Sequence, residues 1–351
     1  MTTRLFSSTI IFFLKKYPMD QRYLLLQAWL KHVLPTDFAI TPLAGDASFR
    51  RYFRISQGQQ TFVAMDAPPT HEDVAPFITI AHALRAHGVV TPRLIDADLT
   101  QGFLLLSDLG DMLYLKALNP DTAESLYNRA FQTLHSLQTC ALSPLPLFDE
   151  GMILRELSLF VEWYLQKHLG LSLKTQDQKI LVTAFSHLIQ SAQAQPQCFV
   201  HRDYHSRNLL VLPEGGVGVL DFQDAVHGPV TYDLVSLIRD CYITWPEADV
   251  TRWMQAFQDQ ATEKKTLPKV SSALFMRWAD WMGMQRHLKA IGIFSRLNHR
   301  DHKHPYLQDI PRTLNYVYHI SEKYPEFSDF KHWLEDHVLE ATVALNESEA
   351  R

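Results

Sequence analysis

Cysteine is scarce in this chain of 351 residues: Cys140, Cys198 and Cys241 stand far apart, with no Cys-x-x-Cys pair. That argues against a disulfide scaffold and a cysteine zinc site, and for buried thiols in a reducing, cytoplasmic setting. Long apolar runs are also missing. The longest candidate, residues 5–14, has ten residues, where a spanning helix needs roughly 20, so no membrane role is expected. Positive charge is not in excess: 33 basic and 38 acidic residues leave a formal net charge of −5. The whole chain therefore shows no electrostatic footprint for nucleic acid. What is present is core material. Hydrophobic residues make up 46% and charged residues 20%, enough for a sizeable core in about two domains.

Residues 1–18 have a short apolar run and then Lys15 and Lys16, without the small-residue cleavage site of a secretory signal. The reading here is a non-native or disordered extension, with the native start at Met19. Tyr23, Leu24, Leu26, Leu30 and Leu34 then recur at helical spacing. From residue 38 to 111 the text reads as strands at 38–43, 50–55, 61–65, 93–97 and 101–107. These runs are rich in Phe, Tyr, Val and Ile and bounded by turn residues. One helix at 72–87 interrupts them and ends at Gly88. Residues 108–111 read as a hinge. Beyond it the chain is mainly helical, at 121–139, 154–169, 176–193, 233–242, 247–264 and 271–294. The expected fold class is α+β: a sheet lobe over 19–107 and a helical lobe over 112–351, with a ligand cleft between them.

The segment that carries chemistry runs from Phe199 to Asp224. Residues 209–212 and 217–220 are apolar runs around Pro213, Glu214, Gly215 and Gly216, a hairpin signature. Symmetric pairing with partner numbers summing to 429 sets Asn208 opposite Asp221 at its open end, with Cβ atoms roughly 5 Å apart. Asp203 lies in the loop leading in. Two carboxylates and an amide oxygen in one place suit Mg²⁺, which takes a few protein oxygens and completes its shell with phosphate and water. The spacing His201-Arg202-Asp203-x-x-x-x-Asn208 matches the phosphoryl-transfer loop, and Asp221-Phe222-Gln223 departs by one residue from Asp-Phe-Gly. Four fixed residues would recur by chance in roughly one such chain in several hundred. A second His-Arg-Asp, at 299–301, has Tyr306 where the asparagine belongs and no strand pair after it, so it reads as a decoy. His201 reads as structural. His205 and Arg207 fall near the reacting phosphate and are substrate candidates. Asp233 is expected to cap a helix and bond back to the loop.

With Gly228, Pro229, Tyr232, Asp233 and Leu234, these motifs resemble the aminoglycoside phosphotransferase-like branch of the protein-kinase fold. Residues 44–54, 63–69, 154–157, 162–164 and 285–297 resemble, within that branch, the bacterial anomeric kinases of N-acetylmuramate and N-acetylglucosamine used in peptidoglycan recycling. The resemblance implies a two-lobed kinase, ATP as co-substrate with Mg²⁺, Asp203 as catalytic base, and Asn208 and Asp221 as metal ligands. It implies a phosphate-covering turn at Gly45, Asp46, Ala47, Ser48 and Arg50, and a hinge for adenine around Ser107 and Leu109. One departure stands out. The third strand carries Met65 where most kinases have a lysine, and no lysine lies between Lys31 and Lys116. Arg50, Arg51 or Arg54 is left to supply that charge.

For the sugar, Glu162, Gln285, Arg286 and Lys289 have fitting chemistry, as do Arg155, Glu156, Trp163 and Tyr164. Arg286 ranks first as a carboxylate partner because a guanidinium binds bidentately. Trp163 and Tyr164 read as core, and Arg155 and Glu156 read equally as solvated helix charges. The leading expectation is a monomeric cytoplasmic kinase making a sugar 1-phosphate. The alternatives are a kinase of an amino alcohol or an aminoglycoside, and a nucleotide-binding pseudokinase, which the Met65 gap keeps open. A protein kinase is disfavoured by the missing Gly-x-Gly-x-x-Gly, strand-three lysine and Ala-Pro-Glu.

Overall fold

The computed structural model describes residues 21–34, 36–43 and 49–342. The expected extension at 1–18 and the turn residues Gly45, Asp46, Ala47 and Ser48 lie outside the described residues. The chain divides into two compact units, Met1–Ile78 with Pro92–Asp108, and Thr79–Thr91 with Leu109–Arg351.

The first unit is a five-stranded antiparallel sheet in the order β1-β2-β3-β5-β4. Its strands are β1 (Ala39–Pro42), β2 (Arg51–Gln57), β3 (Gln60–Asp66), β4 (Leu94–Asp98) and β5 (Phe103–Ser107). Helix α1 (Gln21–Val33) lies on one face. Leu26, Leu30 and Leu34 stack at i, i+4 and i+8 onto Phe53 and Ile55 of β2, Ala64 of β3, and Phe103 and Leu105 of β5. The period-two alternation of the strands sends these residues to the α1 side. Gly58 closes the tight β2–β3 turn with φ 60°, the left-handed geometry such a turn needs. Helix α2 (Ala75–Ala86), most of which is counted with the second unit, ends as expected at Gly88, whose φ of 78° lets the Val89 N–H reach the Leu84 carbonyl at 3.0 Å.

The second unit is helical, with two short strand pairs. Helix α3 spans Tyr114–Ala117, α4 Ala123–Gln138 and α5 Glu150–Leu159. The last continues as a π-helix over Phe160–His168. Then come α6 (Thr175–Gln193), β6 (Gln197–Val200), β7 (Leu209–Val211), β8 (Val217–Val219), β9 (Val226–Pro229), α7 (Tyr232–Ile238), α8 (Glu247–Glu263) and α9 (Ser272–Asp301). Strand β6 pairs with β9, and β7 with β8, both antiparallel. Helix α9 runs through the core, and every residue from Trp281 to Lys289 is buried. It is not apolar there: Gln285, Arg286, His287 and Lys289 are among those buried residues. Gly292 explains how α9 comes so close to α5. A Cβ at that position would sit 2.3 Å from the Leu159 carbonyl carbon, so only glycine allows the contact. One turn back along each helix, that approach brings Glu156 against Lys289.

Among the described residues no helix is long and apolar enough to cross a membrane.

Candidate active site

The loop between β6 and β7 carries the His-Arg-Asp motif, and buried polar groups fix its backbone. Asp233, in the first turn of α7, accepts the N–H groups of His201 at 2.6 Å and Arg202 at 3.0 Å. Burial pushes its carboxyl up to about 6. The expected bond back to the loop is present. The expected helix cap is not: Thr231 holds the N-cap position, because the Asp233 oxygens are committed to the loop. His201 donates Nε2–H to the Leu220 carbonyl at 2.9 Å and accepts the Asp203 N–H at Nδ1, 3.2 Å away. Burial lowers its pKa, so it stays neutral and structural. Asp240, which sequence reasoning did not single out, takes the Ser206 N–H at 2.9 Å and the Tyr242 N–H at 2.9 Å. No motif marks it; its role appears only once the loop and the end of α7 are folded together.

The β7–β8 hairpin forms, with a register one residue from the expected one. Leu209 faces Val219 and Leu210 faces Gly218, so partner numbers sum to 428. The cause is Gly215, which takes a left-handed φ of 82°. The loop then needs three residues, and Leu212 N–H bonds to the Gly216 carbonyl at 3.0 Å. Leu220 therefore lies opposite Asn208, with its N–H on the Asn208 carbonyl at 2.9 Å. Asp221 still reaches Asn208 because its own φ of 61° turns the chain back. Asn208 Nδ2 donates to the Asp203 carbonyl at 3.0 Å and faces Asp221 Oδ2 at 3.4 Å. A left-handed aspartate is uncommon, and Arg202 is a second such residue with φ 76°. Such conformations are held only where the surroundings over-determine them.

The donor set fits a hard cation. With Nδ2 committed, Asn208 has its Oδ1 as acceptor end, and Asp221 adds a carboxylate. Among the described residues no cluster of three or more His, Cys, Asp and Glu side chains could cage a metal. Mg²⁺ is commonly held by one or two protein groups, with water and phosphate completing its shell. Gln223, in the place of the motif's glycine, donates Nε2–H to Asp221 at 2.8 Å and to Asp224 at 3.2 Å. It thereby steadies the carboxylate.

Asp203 opens onto a pocket of about 80 Å³, with His205, Tyr242, Arg286, Lys289 and Phe294 in its wall. Burial pushes the Asp203 carboxyl up, but Lys289, His205, Arg286 and Arg202 around it outweigh that and hold the group well below the usual carboxylate range. It is ionised at neutral pH. Behind the pocket, buried Glu156 binds three partners. Arg202 donates to it, Lys289 Nζ lies 2.9 Å away, and Gln285 Nε2 donates at 3.0 Å. Burial works against the Glu156 charge, and Lys289 and Arg202 overcome it. Lys289 also donates to the Tyr232 hydroxyl at 3.0 Å.

The other expected site residues distribute as follows. His205 and Arg286 line the pocket with Asp203. Arg207 stacks over the Tyr242 ring at 3.7 Å, one residue from direct lining. Gln285 is buried behind it on Glu156, and Glu162 is exposed on the π-helix, outside the lining. Glu156 is no solvated charge, whereas Arg155 is exposed and Tyr164 is core. In the sheet unit each candidate arginine pairs with a carboxylate. Arg50 binds Glu72 at 2.8 Å, Arg51 binds Asp66, and Arg54 binds Asp108 at 2.7 Å. Arg51 alternates with Phe53 and Ile55 on the α1-covered face, and Arg54 lies on the other. Met65 is fully buried. Ser107 accepts the Arg93 N–H at 2.8 Å, and Leu109 packs over Gly218.

The profile of the phosphotransferase enzyme family (APH) matches residues 39–270. This chain belongs to that family. It is 43% identical over 322 residues to a Pseudomonas aeruginosa protein named N-acetylmuramate/N-acetylglucosamine kinase, covering 88% of this chain and 95% of that one. A Neisseria meningitidis protein of the same name is 40% identical, with 88% and 93% covered. Solved structures share the fold. Plasmodium vivax ethanolamine kinase superposes with a TM-score of 0.63 at 12% identity, over 90% of this chain and 94% of that one. At that identity the likeness concerns the fold alone. The phosphotransferase assignment agrees with the carboxylate, amide and carboxylate that the loop and hairpin bring together.

Proposed function

We propose that this phosphotransferase moves the γ-phosphoryl group of ATP to the anomeric hydroxyl of N-acetylmuramate and N-acetylglucosamine, in peptidoglycan recycling. Two relatives of that name, at 40% identity or more over nearly their whole length, support the substrate class. The observation that carries the chemistry is Asp203: ionised, facing a pocket, with its carbonyl bonded to the amide that meets Asp221.

Asp203 orients the sugar hydroxyl and accepts its proton as the oxygen lone pair bonds to phosphorus. The bond from phosphorus to the bridging oxygen of ADP breaks in line. Mg²⁺, held through Asn208 and Asp221, would neutralise charge on the phosphates. A carboxylate of lowered basicity suits an anomeric hydroxyl, which the ring oxygen makes more acidic than an ordinary alcohol. Arg202 and Lys289, anchored on Glu156, keep that carboxylate ionised. The use of ATP and three free thiols fit a cytoplasmic setting.

The test is ATP consumption across a panel of both sugars, glucosamine, ethanolamine, choline and an aminoglycoside. Turnover confined to the N-acetylated sugars is expected. Turnover on the amino alcohols alone, or on nothing while nucleotide still binds, contradicts the proposal.

A further inference from the structure

Three cations lie around Asp203, and they differ in what neutralises them. Arg202 and Lys289 both pair with Glu156. Among the described residues Arg286 has no such ion-pair partner. It is 5% exposed, and its Nε has no hydrogen-bond acceptor. Its Nη1 meets the Cys241 thiol, 3.7 Å away. The carboxylates of Asp203 and Asp240 both act on it through space, yet among the described residues neither is hydrogen-bonded to it, and both Asp240 oxygens are taken by backbone N–H groups. A buried guanidinium without a bound counter-ion is costly unless something else supplies the charge. Arg286 lines the pocket, so a ligand in that pocket is placed to supply it.

The same helix face defines the ligand further. Arg286, Ala290 and Ile293 recur at i, i+4 and i+7 of α9 and line the pocket together, with Phe294 beside them. A cation therefore adjoins a small apolar wall. Building on the proposed function, we infer that Arg286 is an oxyanion site that reads the lactyl carboxylate of N-acetylmuramate, the group N-acetylglucosamine lacks. An oxyanion at this place has two sources, the sugar's carboxylate and the phosphoryl group in transfer. The apolar wall favours the first, because the lactyl group carries a methyl beside its carboxylate and a phosphoryl group carries none.

The experiment compares kcat and KM for both sugars in the wild type, Arg286→Lys and Arg286→Gln. The ratio of kcat/KM for N-acetylmuramate over N-acetylglucosamine is expected to fall at least about tenfold in Arg286→Gln, through KM for N-acetylmuramate, and part-way in Arg286→Lys. A fall of kcat alike on both sugars, with both KM values kept, assigns the oxyanion to the phosphoryl group and overturns the carboxylate reading. An unchanged ratio with unchanged kcat overturns the site altogether. A second arm needs no variant: the carboxamide of N-acetylmuramate, offered to the wild-type enzyme, is expected to show a KM at least about tenfold higher than the acid. Equal KM values contradict the inference. Should the wild type phosphorylate neither sugar, the proposed function itself fails, and that is seen before any variant is made.

Discussion

His201-Arg202-Asp203 and His299-Arg300-Asp301 are the same tripeptide in two settings. In the second copy, at the end of α9, Arg300 closes its guanidinium on both oxygens of Asp301 at 2.9 Å. Arg300 is half exposed, and His302, which follows Asp301, ends the helix in a left-handed conformation. In the first copy the arginine reaches away to Glu156 on another helix. Among the described residues no hydrogen bond or ion pair occupies the Asp203 carboxylate, which faces the pocket. Both aspartates are held below their ordinary pKa, the second by hydrogen bonding to its neighbour Arg300. For the first, burial is outweighed by cations drawn from elsewhere in the fold. A motif becomes a site when the fold satisfies the partners of its carboxylate and leaves the carboxylate itself to the ligand.

The largest effect that would break this contrast belongs to Asp203. Asp203→Asn should lower single-turnover phosphoryl transfer roughly a thousandfold with nucleotide affinity largely kept, as measured by rapid quench and calorimetry. Next comes Asp221→Asn. A loss of roughly a hundredfold in kcat/KM at low magnesium, partly restored by more magnesium, is expected if it holds the ion. Unaltered magnesium dependence would remove it from that role. Lys289→Met sharpens the electrostatic half of the comparison. Asp203 works as a base only when ionised, and the cations lower its pKa, so activity should persist on acidification. Taking one cation away raises that pKa and moves the acid limb of kcat/KM to higher pH, by about one unit, with kcat down about tenfold. An acid limb that stays in place counts against this origin of the shift. Asp301→Ala should do least: activity within about twofold and stability within about 0.5 kcal/mol, checked by thermal unfolding.

Much of this was legible from residues alone. The five strands showed as runs rich in Phe, Tyr, Val and Ile between turn residues, and several of those residues are the ones packed under α1. The loop showed in its spacing, since phosphoryl transfer tolerates few arrangements of base and metal ligands. The hairpin register was missed by one residue, because whether Gly215 or Gly216 takes the left-handed turn position is decided only in three dimensions. Glu156 and Glu162 could not be ranked either. Both sit on one long helical pattern, but α5 becomes a π-helix at Phe160, which shifts the face that follows. The close approach at Gly292 then buries the first glutamate against α9, while the second is exposed. The arginines expected to stand in for a strand-three lysine could not be ranked for a related reason. Three arginines were equivalent as text, and only their pairing with Glu72, Asp66 and Asp108 tells them apart.

The central claim, that the Asp203 carboxylate drives transfer to an anomeric hydroxyl, meets its most direct test in phosphorus NMR of the product. Wild-type enzyme with magnesium, ATP and N-acetylmuramate should give a phosphate resonance coupled to the anomeric proton, and Asp203→Asn should give none on the same timescale. A phosphate on any other carbon, or an undiminished anomeric signal from the variant, contradicts the account.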